Sequence, residues 1–270
     1  MARQRLGQHF LGDADWREQI ARAIHVSRHS YERPEREDLP YCWIEIGAGH
    51  GEMTGYLAAT GAAVYAVELD PRLVNGLEQL AAKFPNLTIV AGDVLETDLA
   101  AIAAGRRIRL YGNLPYYITS PILQHFFETA ELIDEIHILI QLEVAQRLTA
   151  VPGTRDYGYL SVLTQYFSRP GISLEIPPAA FQPPPEVDSA LVTMKLPGRS
   201  PRLDAGLEPE FLEFVKRCFA KKRKTLLNNL RGFAEPAAVK LALQAFELEE
   251  TARAEELPLA QLLKLFHRFR

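Results

Sequence analysis

The sequence contains little cysteine and no long hydrophobic run. Only Cys42 and Cys218 occur among the 270 residues, and neither has a neighbouring cysteine or histidine at the spacing of a metal site. We therefore expect no disulfide scaffold, no zinc site and no other bound metal. No stretch of about 18 apolar residues is present, so no segment is expected to cross a membrane. No apolar run follows the first basic residues, so we expect no secretory signal and a cytoplasmic location.

The composition is typical of a globular protein, but the charge is distributed unevenly. Hydrophobic residues make up 47% of the chain and charged residues 24%, which argues against disorder. The length allows one large domain with a small second one. The formal net charge is −4, yet the segment 216–231 holds seven basic residues and no acidic one. Such a segment favours an anionic partner, and the alternative is a solvated helix face.

Short apolar segments alternate with amphipathic segments between residues 41 and 142. The predicted strands are rich in β-branched residues and cover residues 42–46, 63–68, 87–91, 108–111 and 136–142. The spacing of apolar residues predicts helices over 52–60, 72–84 and 121–131. This alternation predicts an α/β fold with a mostly parallel sheet. Two later strands, 173–176 and 191–196, are expected to form an antiparallel edge of the same sheet.

A change in composition near residues 197–209 predicts a linker. This segment contains several prolines, and the sequence that follows it shows helical spacing without a strand candidate. We therefore predict a first domain over residues 1–198 and a small all-α domain over residues 199–270.

Three glycines follow the first strand of the predicted sheet. Residues 45–51 read Glu-Ile-Gly-Ala-Gly-His-Gly, and the glycines allow a tight turn and a close approach to a ligand. A dinucleotide fingerprint needs its third glycine one residue later, where this chain has Glu52. Because a carboxylate at that helix start would repel a pyrophosphate, the loop disfavours NAD, FAD and a dehydrogenase activity.

Two acidic residues follow the next two predicted strands. Glu68 lies about 20 residues after Gly47, at the position where an acid accepts hydrogen bonds from ribose hydroxyls. Asp93 ends the third strand. Together with the glycines, these acids predict an adenosine-shaped site at one edge of the sheet, with S-adenosylmethionine as its occupant. The alternative for either acid alone is a helix cap.

A stiff polar turn follows the fourth strand. Residues 112–117 read Gly-Asn-Leu-Pro-Tyr-Tyr, and Pro115 restricts both itself and Leu114. The side-chain oxygen of Asn113 and the carbonyl of Leu114 could accept the two hydrogens of an adenine N6 amine. Tyr116 could stack on the base. No general base is needed for methyl transfer from a sulfonium, so orientation would supply most of the catalysis. The alternative is an ordinary turn.

With these motifs placed, the chain closely resembles the KsgA/RsmA family of small-subunit (16S) rRNA adenine N6,N6-dimethyltransferases. The resemblance covers nearly the whole chain and is carried by residues 6–11, 45–51, 67–70, 92–93, 113–116, 181–189 and 219–230. It implies a class I, Rossmann-like methyltransferase domain with a seven-stranded sheet, followed by a small helical RNA-binding domain. The implied activity is the transfer of four methyl groups from S-adenosylmethionine to two adjacent adenosines in the 3′-terminal hairpin of 16S rRNA.

The resemblance also implies roles for individual residues. Its cofactor contacts correspond to His9, Leu11, Gly47, Glu68, Asp93 and Asn113. Its catalytic contacts with the target adenine correspond to Asn113, Leu114, Tyr116 and Phe181. Its contacts with rRNA phosphates correspond to Lys221, Lys222, Arg223 and Lys224. The implied partner is the assembling small ribosomal subunit, and we expect a monomer without a membrane partner.

The chain departs from the family pattern at a few positions. His9 and Tyr117 stand where asparagine is frequent, and the stretch 27–40 is longer than expected and has no assigned role. Two alternatives stay open. One is a large-subunit rRNA adenine methyltransferase of the resistance type, which lacks a close match to residues 219–230. The other is a largely non-catalytic ribosome-assembly factor, against which the intact acids and Asn113 argue.

Overall fold

The computed structural model describes residues 9–26, 40–115, 118–198, 202–204 and 206–270. Two compact units are present. Unit 1 comprises Met1–Ala145 and Pro170–Pro197, and unit 2 comprises Gln146–Arg169 and Gly198–Arg270. The segment 146–169 thus groups with the carboxyl-terminal helices. The predicted assignment of 1–198 to a methyltransferase domain and 199–270 to an RNA-binding domain stays a prediction.

A seven-stranded sheet forms the centre of unit 1. Its strands are β2 (Tyr41–Ile46), β3 (Ala63–Glu68), β4 (Leu87–Ala91), β5 (Arg107–Asn113), β6 (Ile133–Gln141), β7 (Arg169–Ile176) and β9 (Ser189–Lys195), in the order β4-β3-β2-β5-β6-β9-β7. Strands β2 to β6 pair in parallel, and β9 is antiparallel to β6. The predicted α/β fold with a mostly parallel sheet is therefore confirmed, and both later strands belong to this sheet.

A second, two-stranded sheet was not predicted. Strand β1 (Phe10–Leu11) pairs antiparallel with β8 (Phe181–Gln182), so that Leu11 lies opposite Phe181. This pairing connects the amino-terminal segment to the loop that precedes β9.

The helices of unit 1 follow the strands, and the side chains of Asp13, Asp70 and Asp98 cap three of them. They are α1 (Ala14–Ala23), α2 (Thr54–Ala58), α3 (Pro71–Ala81), α4 (Leu99–Ala103), α5 (Thr119–Glu128) and α6 (Leu142–Thr149), the last of which continues into unit 2. Asp70 caps α3 by accepting a hydrogen bond from the Arg72 amide at 2.9 Å, and proline occupies the first helical position. Only Leu69 separates the capping residue Asp70 from the end of β3, which keeps the strand-to-helix connection short.

Unit 2 is helical after the linker. Over residues 202–204 and 206–270 the structure contains α8 (Glu208–Cys218), α9 (Leu226–Asn229), α10 (Pro236–Ala245) and α11 (Leu259–Arg268), and no strand within those ranges. Helix α7 (Tyr159–Phe167) belongs to the same unit. Aromatic rings form its core, with Phe211 5.2 Å from Tyr166 and 5.5 Å from Phe266 between ring centroids. Within the described parts of the chain, no helix is long and apolar enough to cross a membrane.

Gly112 allows β5 to pack closely against β2. It lies opposite Ile46 in the parallel pair. A Cβ atom built on Gly112 would lie 3.2 Å from the Ile46 carbonyl oxygen and 2.9 Å from Leu114 Cδ2. The backbone oxygen cannot move aside as a flexible side chain can, so only glycine fits here without separating the strands.

We predict that Gly112→Ala lowers the free energy of unfolding by about 1–3 kcal/mol, because it overpacks two central strands. Gly171→Ala is the matched control, since Gly171 also lies in a strand but no atom lies within 4 Å of an added Cβ. Urea denaturation measures both. Equal stability of Gly112→Ala and Gly171→Ala would contradict the packing argument.

Candidate active site

A cleft opens at the edge of the sheet where the parallel strands end. It encloses about 890 Å³ including its open mouth, a volume suited to a ligand of nucleoside size. Residues at or just after the ends of four strands line it, together with the residue before β1; they include Gly47, Glu68, Asp93, Asn113 and His9. Parallel strands bring their carboxyl ends to one edge, so residues far apart in sequence meet in one site.

The glycine loop, residues 47–51, requires its glycines for backbone geometry. Gly47, Gly49 and Gly51 have φ angles of +67°, +62° and +87°, a region that other residues rarely adopt. The Gly47 amide donates to the Val67 carbonyl at 2.9 Å. The Gly49 amide donates to Glu68 Oε2, also at 2.9 Å. The loop is therefore held against the end of β3 by two hydrogen bonds.

Glu68 is buried and organises this wall of the cleft. Its second oxygen, Oε1, accepts the Asp70 amide at 2.9 Å, so the carboxylate joins the glycine loop to the start of α3. Each carboxylate oxygen can accept a further hydrogen bond. Glu68 thus lines the cleft with acceptor capacity that suits the predicted contact with ribose hydroxyls, and that contact stays a prediction.

Asp93 serves as a cap and lines the cleft as well. Its Oδ1 atom accepts the Leu95 amide at 2.9 Å and begins a 3₁₀ turn over Val94–Glu96. The same residue forms part of the cleft wall. The cap and the ligand contact, which the sequence presented as alternatives, are therefore compatible at this position.

The side-chain amide of Asn113 has a defined orientation. Its Nδ2 atom donates to the His9 carbonyl oxygen at 2.8 Å. Because a carbonyl can only accept, Nδ2 must face His9 and Oδ1 must face the other way. The next residue, Leu114, is held by its amide, which donates to the Leu139 carbonyl at 3.0 Å. Neither Asn113 Oδ1 nor the Leu114 carbonyl accepts a hydrogen bond from the part of the chain that the structure describes.

A comparison with known families identifies the type of protein. The family model for ribosomal RNA adenine dimethylase matches residues 1–270. The chain belongs to this family. Membership confirms the resemblance inferred from the motifs, and it makes the protein an rRNA adenine dimethyltransferase.

Individual relatives of this dimethylase agree with the assignment. Ribosomal RNA small subunit methyltransferase A of Acidobacterium capsulatum is 42% identical over 226 residues, which cover 83% of this chain and 79% of the relative. The protein of the same name from Alkaliphilus oremlandii is 35% identical over 263 residues, which cover 95% of this chain and 88% of the relative.

Two solved structures resemble the dimethylase in fold. The 23S rRNA methyltransferase ErmE is 26% identical, with a TM-score of 0.69 over 96% of this chain and 99% of its own. A dimethyladenosine transferase from Plasmodium falciparum is 22% identical, with a TM-score of 0.76 over 95% of this chain and 96% of its own. The second likeness shows the fold alone, and together they confirm the Rossmann-like methyltransferase fold.

Two of the predicted site residues of the dimethylase are not among those that line the cleft. Leu11 and Phe181 are buried opposite each other in the β1–β8 pair, and neither lines the cleft. Phe10, for which no role was predicted, does line the cleft and lies 4.5 Å from His50 between ring centroids. Alternation of side chains along β1 explains why Phe10 lines the cleft and Leu11 does not, since neighbouring residues of a strand face opposite sides. The roles of Leu11 and Phe181 stay predictions, and Tyr116 lies outside the described residues.

The basic residues of unit 2 form an exposed turn between α8 and α9. This basic turn comprises Lys221, Lys222, Arg223 and Lys224, and all four are exposed. It is not a helix face, which was the alternative. The Lys222 ammonium donates to the Arg155 carbonyl, and Asn229 Nδ2 donates to the Lys221 carbonyl at 3.2 Å. The Asn229 bond holds the backbone of the turn and the Lys222 bond restrains one of its side chains, while all four residues stay exposed.

Glu45 is a functional candidate that the sequence analysis did not single out. It is buried beneath the glycine loop, and the Thr54 hydroxyl donates to its Oε2 atom at 2.5 Å. Burial raises the pKa of Glu45 to about 8; the Thr54 hydrogen bond opposes this rise, and the charges of Glu52 and Glu68 add to it. An acidic residue inside an otherwise apolar strand was the available signal.

We predict that Glu45→Gln changes the pH dependence of stability. Between about pH 5 and pH 8 the folded carboxyl keeps a proton that the unfolded chain releases, so wild-type stability falls as pH rises. Glutamine cannot titrate. From pH 5 to pH 8 the free energy of unfolding of the variant should therefore rise by at least about 1 kcal/mol relative to that of the wild type, as measured by urea denaturation. Parallel pH profiles of the two proteins would contradict the raised pKa.

Proposed function

We propose that this dimethylase transfers methyl groups from S-adenosylmethionine to N6 of two adjacent adenosines in the 3′-terminal hairpin of 16S rRNA. It would dimethylate each adenosine while the small ribosomal subunit assembles in the cytoplasm. The names of the relatives at 35–42% identity support the choice of the small subunit. The one observation that carries the mechanism is the pair of acceptors at Asn113 and Leu114 that no described residue occupies.

These two acceptors match the chemistry of an adenine amine. N6 carries two hydrogens, and its lone pair is delocalised into the ring. Asn113 Oδ1 and the Leu114 carbonyl can each accept one hydrogen, which orients the amine and favours a tetrahedral nitrogen with an available lone pair. Pro115 follows directly and keeps the Leu114 carbonyl direction fixed. Orientation of this kind contributes several kcal/mol to catalysis (on the order of 7–11 in well-aligned systems).

The cleft has the properties that S-adenosylmethionine requires. Two carboxylates, Glu68 and Asp93, line it, and no lysine or arginine does so among the described residues. A pyrophosphate would lack partners here, whereas hydroxyl groups and a positively charged ligand are favoured. The glycine loop brings backbone close to the cleft, since a Cβ on Gly49 would lie 3.2 Å from Phe10. When bound, the cofactor supplies an electrophilic methyl group.

The protein itself needs to move few protons in this mechanism. Asn113 and Leu114 hold the amine, and the proton that N6 releases passes to water. Phe181 and Tyr116 are proposed to cover the two faces of the adenine, as the family resemblance implies. Stacking of this type contributes about 1–3 kcal/mol per base. Because no side chain acts as a strong base, the proposed rate depends on how well the acceptors are positioned.

The basic turn is the proposed contact with rRNA phosphates. Unit 2 holds 17 lysines and arginines against 11 aspartates and glutamates, whereas the rest of the chain holds 13 against 23. Four exposed cations in one braced turn concentrate this charge. A polyanion would be attracted to unit 2 and would release counterions on binding.

Mapping the modified adenines tests the proposed function. Ribosomal subunits from cells that lack the protein are incubated with it and methyl-labelled S-adenosylmethionine, and the labelled positions are then mapped on both large rRNAs. We expect label on two adjacent adenosines near the 3′ end of 16S rRNA. Label on 23S rRNA would contradict the proposal and favour the large-subunit alternative. Subunit binding without any label would favour the assembly-factor alternative.

We predict that Asn113→Ala abolishes methylation and weakens cofactor binding much less, because the variant lacks the side-chain acceptor for N6. Label transfer to subunits and calorimetric binding of S-adenosylmethionine measure the two effects. Asn75→Ala, on the exposed side of α3, is the matched control and should keep its activity. Unchanged turnover in Asn113→Ala would refute the proposed mechanism.

We also predict that glutamine at all four positions of the basic turn weakens subunit binding and flattens its salt dependence. The logarithmic slope should fall by roughly one for each phosphate contact that is lost. Lys264→Gln with Arg268→Gln is the control, because it removes exposed charge from helix α11 of the same unit. If the slope per removed charge is the same in both proteins, the turn is only solvated surface.

A further inference from the structure

His9 connects two segments of unit 1 that are far apart in sequence. Its Nδ1 atom lies 2.7 Å from the Pro183 carbonyl oxygen. Its own carbonyl oxygen accepts the Asn113 side-chain amide at 2.8 Å. The pairing of β1 with β8 begins at the next residue, where Phe10 lies opposite Gln182. One residue therefore contacts both the loop after β8 and the side chain proposed to hold adenine.

The partner of the imidazole determines which nitrogen carries the hydrogen. A proline carbonyl can only accept, so His9 Nδ1 must be the donor. An imidazole has a hydrogen on Nδ1 in one neutral tautomer and in the charged form. The bond to Pro183 is therefore available whether or not the ring carries a charge.

We propose that His9 is a positioning residue for methyl transfer. Its Nδ1–H bond to Pro183 keeps the His9 carbonyl at the place where it orients the Asn113 amide. Without this bond the carbonyl can shift, and Asn113 Oδ1 then loses its defined direction. The inference rests on the proposed function, and it is distinct from the predicted contact of His9 with the cofactor. It acts on the rate at saturating cofactor, whereas a cofactor contact acts on the affinity.

Three variants of His9 test this role. The amide nitrogen of asparagine is as many bonds from the backbone as histidine Nδ1, whereas that of glutamine is one bond further away. We expect His9→Asn to keep a kcat about tenfold above those of His9→Gln and His9→Ala, since small displacements at a reacting centre have effects of at least this size. The kcat and the KM for S-adenosylmethionine are measured separately. His267→Gln, at an exposed histidine of α11, is the control and should keep the wild-type kcat.

The possible outcomes separate the inference from the proposed function. Equal kcat values for His9→Asn and His9→Gln would overturn the inference, and so would changes confined to KM. Melting temperatures are recorded for every variant. If His9→Gln and His9→Ala both fail to fold, the bond supports the unit rather than Asn113, and the inference is again overturned. Absence of adenine methylation by the wild-type protein would instead refute the proposed function, on which the inference rests.

Discussion

The hydrogen bond from the Asn113 side chain to the His9 carbonyl sets the direction in which the amide presents its oxygen. A carbonyl cannot donate, so the amide nitrogen is committed to His9 and the oxygen is left for the cleft. The Leu114 carbonyl provides a second acceptor on the same stiff turn. The dimethylase chemistry that we propose depends on this pair, because an amine with two hydrogens needs two acceptors in a fixed relation.

The rest of the site follows from the parallel sheet and from the charge of its edge. Strands β2, β3 and β5 end together, and this brings the glycine loop, Glu68 and Asn113 to one cleft. Two carboxylates and, among the described residues, no lysine or arginine line the cleft, whereas the basic turn of unit 2 presents four consecutive exposed cations. The two proposed partners, a nucleoside cofactor and an RNA chain, thus correspond to two different charge environments.

Much of this architecture could be predicted from the sequence, since short apolar strands alternate with amphipathic helices over residues 41–142. The positions of Glu68, Asp93 and Asn113 at the cleft followed from their places at strand ends. The β1–β8 pair could not be predicted, because two-residue strands have no periodicity and their partners lie about 170 residues apart in sequence. For the same reason the sequence could not show that Phe10 lines the cleft and that Leu11 does not.

The most direct test of the central claim is a crystal structure of the protein with S-adenosylhomocysteine and an RNA hairpin that carries the target adenosines. We predict that the adenine N6 atom lies within about 3.2 Å of both Asn113 Oδ1 and the Leu114 carbonyl oxygen. An adenine bound in the cleft with N6 beyond hydrogen-bond distance of either oxygen would contradict it.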